Sequence, residues 1–333
     1  MKHFRESIFL ILGILLLGSS PVHAEGVIEY NNMGVSYNAQ GNYSQAISVL
    51  NQAIDIDPNY SKAYYNRGLA YQNQGNLYQA MADYTKAIQL NPNYEKALDN
   101  RGAVYNDQGN YTAAIADFNQ VIQLNPNDAV AFNNRGLSYY YQGLYTYAIA
   151  DFTIAIQLNP NDEKAYFNRG LCYHKQGNLD QAVTDFSSAL ERDPYNKEAE
   201  TNRQIDQAQL DKGKAAIENY NEGNAFLEKQ KYSQAITSYN KAIELKVNYG
   251  DAHFNRGLTY EKMKNHNRAI ADYTKAIEID PSQGDAYYNR GLIRYRQKLY
   301  AKAWPDFQKA KQLNYPVDSA IYDYLDKNYG GNI

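Results

Sequence analysis

The sequence is poor in the residues that usually build disulfide frameworks or reactive centres. Its 333 residues include one cysteine, Cys172, and five histidines. A single cysteine excludes an intramolecular disulfide, so the chain must be stabilised by packing. No phosphate-binding loop, metal-ligand spacing or nucleophile motif stands out. We therefore predict that the chain is not an enzyme, with no catalytic residue, metal or cofactor.

Excess positive charge and long apolar runs are also lacking. The 33 basic and 36 acidic residues give a net charge of −3, which makes nucleic acid a poor partner. The one apolar run, residues 8–18, has 11 residues and is too short to span a bilayer comfortably. It follows Lys2 and Arg5 and precedes Val22-His23-Ala24, the pattern of an export signal.

We predict from this run that residues 1–24 are a signal peptide and that the chain is a bacterial exported protein, periplasmic or secreted. No stable membrane insertion is expected after cleavage. An uncleaved membrane anchor is the alternative that stays open.

The chain does contain a strict internal repeat. Five glycines and then three more stand 34 residues apart: Gly34, Gly68, Gly102, Gly136 and Gly170, then Gly223, Gly257 and Gly291. A fixed period in this range is typical of repeat architectures. Counting from residue 27 places each of these glycines at position 8 of its repeat, and this numbering is used below.

Each repeat has the pattern of two helices. The glycine at position 8 is flanked by mostly bulky residues at position 4 and, in seven of the eight repeats, by Tyr or Phe at position 11. Alanine at position 20, an aromatic or leucine at 24 and alanine or valine at 27 follow in all eight repeats. These intervals are helical, and the chain is therefore predicted to be all-α.

This pattern resembles the tetratricopeptide repeat family. The resemblance implies a right-handed α-solenoid superhelix of helix pairs, with a concave groove that is lined by the first helices and usually binds peptides or protein segments. We expect a five-repeat array over residues 27–196, a three-repeat array over 216–316, and a capping helix with a tail over 317–333.

The segment 197–215 interrupts the period, because Gly170 and Gly257 are 87 residues apart. We predict a polar linker helix with a weak point near Gly213. The alternative is one long helix that runs into the first helix of the sixth repeat.

Arginine at position 7 and aspartate at position 23 occur together. Six repeats have both residues, whereas the other two have Met33 with Val49 and Glu222 with Ser238. This co-occurrence predicts an ion pair between the two helices of one repeat. Shared ancestry of duplicated repeats is the simpler alternative.

Asparagine occupies position 6 of every repeat, although it is a mediocre helix former. Positions 2, 6, 9 and 13 should face the groove if positions 4, 8 and 11 face the core. The predicted peptide-binding residues are Asn66, Asn100, Asn134, Asn168, Asn221, Asn255 and Asn289, with Lys62, Lys96, Tyr65 and Tyr141. A row of carboxamides offers donors and acceptors to an extended backbone; the alternative is that these amides bond locally or to water.

These features together favour a non-enzymatic scaffold for protein or peptide segments, serving assembly of an envelope or secretion complex. A secreted effector that binds a host protein would use the same groove. A carrier of glycan or a small ligand, using the tyrosines, is the third possibility.

Overall fold

The structure, a computed structural model, describes residues 21–330 and contains 17 helices and no strand over that range. The all-α prediction is therefore confirmed. Residues 1–20, which include most of the predicted signal peptide, lie outside the described residues. The described residues divide into two compact units, the first ending at Arg203 and the second beginning at Gln204, and each unit is described by itself.

The first unit contains five helix pairs, one pair for each predicted repeat from one to five. Their bounds are α1 (Pro21–Ala39), α2 (Tyr43–Ile56), α3 (Ser61–Asn73), α4 (Leu77–Leu90), α5 (Glu95–Asp107), α6 (Tyr111–Leu124), α7 (Ala129–Tyr141), α8 (Tyr145–Leu158), α9 (Glu163–Gln176) and α10 (Leu179–Arg192).

One long helix, α11 (Lys197–Glu228), follows the five pairs. Gly213 lies inside it, so the structure contains the alternative of one long helix, and the weak point near Gly213 stays a prediction. The second unit continues with α12 (Tyr232–Leu245), α13 (Gly250–Lys262), α14 (His266–Ile279), α15 (Gly284–Arg296), α16 (Tyr300–Gln312) and α17 (Ser319–Tyr329).

The beginning of α11 keeps the period of the repeats, which the sequence analysis did not recognise. Ala199, Asn202 and Arg203 stand 34 residues after Ala165, Asn168 and Arg169, and Ala199 is fully buried. Gln204 replaces the glycine of position 8. Residues 197–209 therefore have the register of a first helix whose repeat is incomplete.

The glycine at position 8 is explained by the aromatic residue at position 24. A Cβ added to Gly102 would lie 2.8 Å from ring atoms of Phe118, closer than real carbon atoms approach. The two helices of a repeat can therefore pack closely only because this residue has no side chain. The incomplete repeat in α11 has no second helix with such a ring, so it has no need of glycine at 204.

The turn inside each repeat differs between the units. In the first unit the turn residue is glycine with a positive φ, such as 74° at Gly109. In the second unit Gln230, Lys264 and Lys298 adopt φ of 57–59° at the same position. A left-handed backbone costs a residue with a Cβ roughly 1–2 kcal/mol, so these three turns are strained.

The last helix covers the end of the second unit. Leu325 of α17 is fully buried and packs with Trp304 and Phe307 of α16. Terminal repeats of a stacked array need such a cover, because no further repeat buries their apolar residues.

Candidate functional site: the first-helix surface and its inter-repeat bonds

Six arginines at position 7 form bidentate ion pairs with the aspartate at position 23 of the same repeat. In the third repeat, Arg101 Nη2 lies 2.7 Å from Asp117 Oδ1 and Nε lies 2.8 Å from Oδ2. The other pairs are Arg67–Asp83, Arg135–Asp151, Arg169–Asp185, Arg256–Asp272 and Arg290–Asp306. The prediction of pairing within a repeat is confirmed.

Each arginine also contacts the preceding repeat, which the sequence analysis missed. Arg135 Nη1 donates to Asn119 Oδ1 at 2.6 Å, and Arg101 Nη1 donates to Thr85 Oγ1 at 3.2 Å. The same contact joins Arg67 to Asn51, Arg169 to Thr153, Arg256 to Asn240 and Arg290 to Thr274. The acceptor is always Asn or Thr at position 25, so each arginine links two repeats.

This second contact explains the two repeats without arginine. The described residues begin with the first helix of the first repeat, where position 7 is Met33. No second helix immediately precedes the sixth repeat, where position 7 is Glu222 and accepts a hydrogen bond from Ser238 at 2.8 Å. Among the eight complete repeats, arginine at position 7 therefore occurs where a preceding second helix supplies Asn or Thr at position 25. The signal in the sequence was the Asn or Thr found 16 residues before each of these arginines.

The asparagines at position 6 donate across the repeat boundary. Asn66 Nδ2 donates to Asn31 Oδ1 at 2.8 Å, and Asn134 Nδ2 donates to Asp99 Oδ1 at 3.2 Å. Equivalent bonds run from Asn100 to Tyr65, from Asn168 to Asn133 and from Asn255 to Tyr220. Because the acceptor is position 5 of the preceding repeat, at least one donor of each of these half-buried amides is used inside the array. Asn255 Nδ2 also donates to Asn224 Oδ1 at 2.8 Å.

The other predicted site residues differ in how far they are exposed to solvent. Asn221, Lys62 and Lys96 are exposed, and Asn289 is half-buried. Tyr65 is half-buried, with its ring centroid 5.0 Å from that of Tyr94 and its hydroxyl held by the third-repeat amide described above. Tyr65 thus packs between repeats, whereas the lysines are open to a ligand.

One pocket in the first unit brings two predicted residues together. It has a volume of about 410 Å³ and lies between the third and fourth repeats. Its lining consists of Ala103, Asn106, Asp107, Tyr111, Asn134, Leu137 and Tyr141. Positions 6, 9 and 13 all contribute, so these positions share one surface of α5 and α7. We call this the α5–α7 pocket.

Hydrogen bonds and ring stacking fix the walls of the α5–α7 pocket. Asn106 Nδ2 donates to the Asn134 carbonyl at 3.3 Å, and Ser138 Oγ donates to Asn106 Oδ1 at 2.7 Å. The rings of Tyr111 and Tyr141 are stacked, with centroids 5.4 Å apart and planes 15° apart. Tyr141 nevertheless remains 58% exposed, so its outer face is available.

The charge of the pocket is negative. Asp107 is exposed and forms no ion pair within residues 21–330, and no cation is among the lining residues. The neighbouring Asp99 lies on the same helix. Burial raises the pKa of Asp99, and the charges of Asp128 and Glu95 raise it further, while the bond from Asn134 lowers it.

Cys172 is fully buried beside Ala148 and Phe152. Burial raises the pKa of its thiol to about 12, which disfavours the nucleophilic thiolate. In the part of the chain that the structure covers, no group of three His, Cys, Asp or Glu side chains could hold a metal ion. None of the helices in that part has the length and apolar character that crossing a membrane requires.

The fold and the first-helix surface define an α-helical repeat protein built of stacked helix pairs. Models of the tetratricopeptide repeat match residues 61–94, 163–196 and 250–283, and a related TPR repeat model matches 34–75, 102–143, 136–177 and 223–264. These matches cover more than half of the chain, and the chain therefore belongs to the tetratricopeptide repeat family. Such repeats form scaffolds for protein interaction, with extended binding surfaces.

Solved structures of MamA are similar to part of this chain. A MamA chain starting at position 41, from Desulfovibrio magneticus RS-1, is 23% identical with a TM-score of 0.49. It covers 52% of this chain and 97% of its own length. A second MamA crystal structure is 27% identical with a TM-score of 0.47, covering 50% and 96%. A comparison with curated proteins finds no match.

Proposed function

We propose that this chain is a non-enzymatic scaffold that binds an extended polypeptide segment on the first-helix surface of its first unit. The observation that carries the proposal is the α5–α7 pocket, where an amide, an apolar side chain and exposed tyrosine face one opening. An extended segment offers backbone amides and spaced side chains, which such a lining complements.

The asparagines contribute to this binding through the amide N–H and C=O groups that are not used in hydrogen bonds between repeats. A carboxamide has two N–H donors and an acceptor oxygen. One donor of Asn134 is used on Asp99, which fixes the orientation of the amide before a ligand arrives. A fixed polar group loses little conformational entropy on binding. Exposed Lys62 and Lys96 extend the surface toward the second and third repeats.

The pocket can be filled without adding charge. Ala103→Leu places a larger side chain in the pocket, and Ala82→Leu makes the same change on the exposed outer helix α4. We expect Ala103→Leu to weaken binding to an array of immobilised twelve-residue peptides, while Ala82→Leu leaves it unchanged. Circular dichroism checks that both variants keep their helicity. Equal peptide binding by the wild type and both variants would contradict the proposal.

The same proposal includes export and a role in assembling an envelope or secretion complex. Its support is the sequence of residues 1–24, with two early cations and an 11-residue apolar run. Mass spectrometry of the chain from cell fractions tests this: a mature chain beginning at Glu25 supports export, and a full-length cytoplasmic chain contradicts it. Recovery from culture medium instead of the periplasm would favour an effector that binds a host protein.

The stacked tyrosines favour one second candidate. Sugar rings pack on exposed aromatic faces, and the outer face of Tyr141 is open. A glycan carrier would bind a sugar array more strongly than the peptide array, and Tyr141→Ser would remove that binding.

A further inference from the structure

The α5–α7 pocket combines one carboxylate with aromatic faces and contains no cation. Asp107 lies at the end of α5, and the stacked pair Tyr111–Tyr141 lies beside it. Arginine is the side chain that suits both features, because its planar guanidinium stacks on aromatic rings and binds carboxylates through two parallel hydrogen bonds. The pocket thus has a chemical preference of its own within the proposed surface.

Both kinds of arginine contact, with an aromatic ring and with a carboxylate, occur elsewhere in this chain. The guanidinium of Arg192 lies 4.1 Å from the ring centroid of Tyr166. Six position-7 arginines bind carboxylates through two bonds, as in Arg135 with Asp151. In contrast with these aspartates, Asp107 has no arginine of its own among the described residues.

We propose that the α5–α7 pocket selects an arginine side chain of the bound segment, with its guanidinium on Tyr141 and at the carboxylate of Asp107. Its aliphatic stem lies against Leu137 and Ala103. This inference rests on the proposed function, because it names which residue of the bound segment occupies this pocket. The volume of about 410 Å³ leaves room for one long side chain.

The opposite charges on the same face set the direction of the segment. Lys96 is exposed near the beginning of α5, and Asp107 lies at its end. A segment that places arginine at Asp107 is stabilised further by an acidic residue toward Lys96. Lysine in place of arginine is expected to bind more weakly, because an ammonium neither stacks in a plane nor binds a carboxylate through two bonds.

The test uses synthetic twelve-residue peptides whose central residue is arginine, lysine or citrulline, the neutral isostere of arginine. We expect the wild-type chain to bind the arginine peptides about tenfold more tightly than the citrulline peptides. Asp107→Asn should abolish that preference. Asp180→Asn removes the same charge from the exposed surface of α10 and should preserve it.

The aromatic contribution is tested in the same assay. Tyr141→Leu should reduce the arginine preference, whereas Tyr147→Leu, which changes a tyrosine that is 62% exposed and outside the pocket, should not. Equal affinity for arginine and citrulline peptides in the wild type overturns the inference and leaves the proposed function standing. A preference that survives Asp107→Asn also overturns it. Binding of none of the peptides contradicts the proposed function together with the inference.

Discussion

The ion pair between Arg101 and Asp117 permits a quantitative test of how the repeats are held together. The two side chains are only 17% and 7% exposed, and they share two short hydrogen bonds. Breaking one partner of a buried pair costs roughly 3–5 kcal/mol, because the remaining charge is left without compensation. We take the lower end, about 3 kcal/mol, because the arginine keeps some contact with water.

Another repeat of the chain has apolar residues at the two positions of the ion pair. The first repeat carries Met33 and Val49 at the two positions. We therefore expect Arg101→Met and Asp117→Val each to lower the free energy of unfolding by about 3 kcal/mol. The double variant should lose about 4 kcal/mol instead of the roughly 6 kcal/mol that additivity gives, a coupling energy of about 2 kcal/mol.

Hydrogen exchange of the amides in α5 and α6 is the appropriate assay, because stacked repeats do not unfold in one all-or-none step. Urea unfolding followed by circular dichroism ranks the variants by the urea concentration at which the helical signal is lost. Thr85→Val, which removes the acceptor in the preceding repeat, should cost about 1 kcal/mol. Additive losses in the double variant would refute the claim that the pair acts as one unit.

Three further substitutions probe individual sites. Lys264→Gly should stabilise the second unit by about 1 kcal/mol, because φ there is 59°; a thermal melt measures it. Ala70→Ser should stabilise the first unit by about 1 kcal/mol, by giving a donor to Asn38 Oδ1, which is buried without a partner. Asp99→Asn should stabilise the chain near pH 7 while keeping the bond from Asn134. The folded-state pKa of Asp99 is raised above 3.8, so wild-type stability falls as pH rises from 3.8 through that raised value, and the variant should lack this dependence.

Matched substitutions at equivalent positions of other repeats are expected to lower the stability instead of raising it. Gly109→Ala puts a Cβ at a φ of 74° and should destabilise by about 1 kcal/mol. Ser138→Ala should cost about 1–3 kcal/mol, because it removes the donor to Asn106 Oδ1. A destabilising Lys264→Gly, an unchanged melt for Ala70→Ser, or an unchanged pH profile for Asp99→Asn would each contradict the corresponding argument.

The repeat period and the helix pairs were predictable from the sequence, because they follow from residue type at fixed spacing. The glycine at position 8 and the ring at position 24 recur for one physical reason, close helix approach, and both show in the sequence. The ion pair between Arg101 and Asp117 was predictable because arginine at position 7 and aspartate at position 23 are present together or absent together in each repeat. The contact of Arg101 with Thr85 was not predicted. It joins two different repeats, and the residue type at the acceptor position, position 25, alternates between Asn and Thr.

The site was predictable only in part. Asparagine at position 6 and Tyr141 at position 13 were expected to share a face, and Asn134 and Tyr141 line one pocket. The use of one amide donor by position 5 of the preceding repeat was not predicted, since position 5 varies among Asn, Tyr, Asp and Phe. Asp107 and Tyr111 were missed for a related reason. They come from the third repeat and line a common pocket with Tyr141 of the fourth only because the two repeats pack side by side.

Site-specific photocrosslinking tests most directly whether recognition occurs on the first-helix surface. Benzoylphenylalanine replaces Tyr141, which is 58% exposed in the α5–α7 pocket, or Tyr78, which is 81% exposed on the outer helix α4. The two full-length variants are irradiated with the same twelve-residue arginine peptide. We predict crosslinked peptide at position 141 and little at 78. Equal crosslinking at both positions, or crosslinking at 78 alone, would contradict the account.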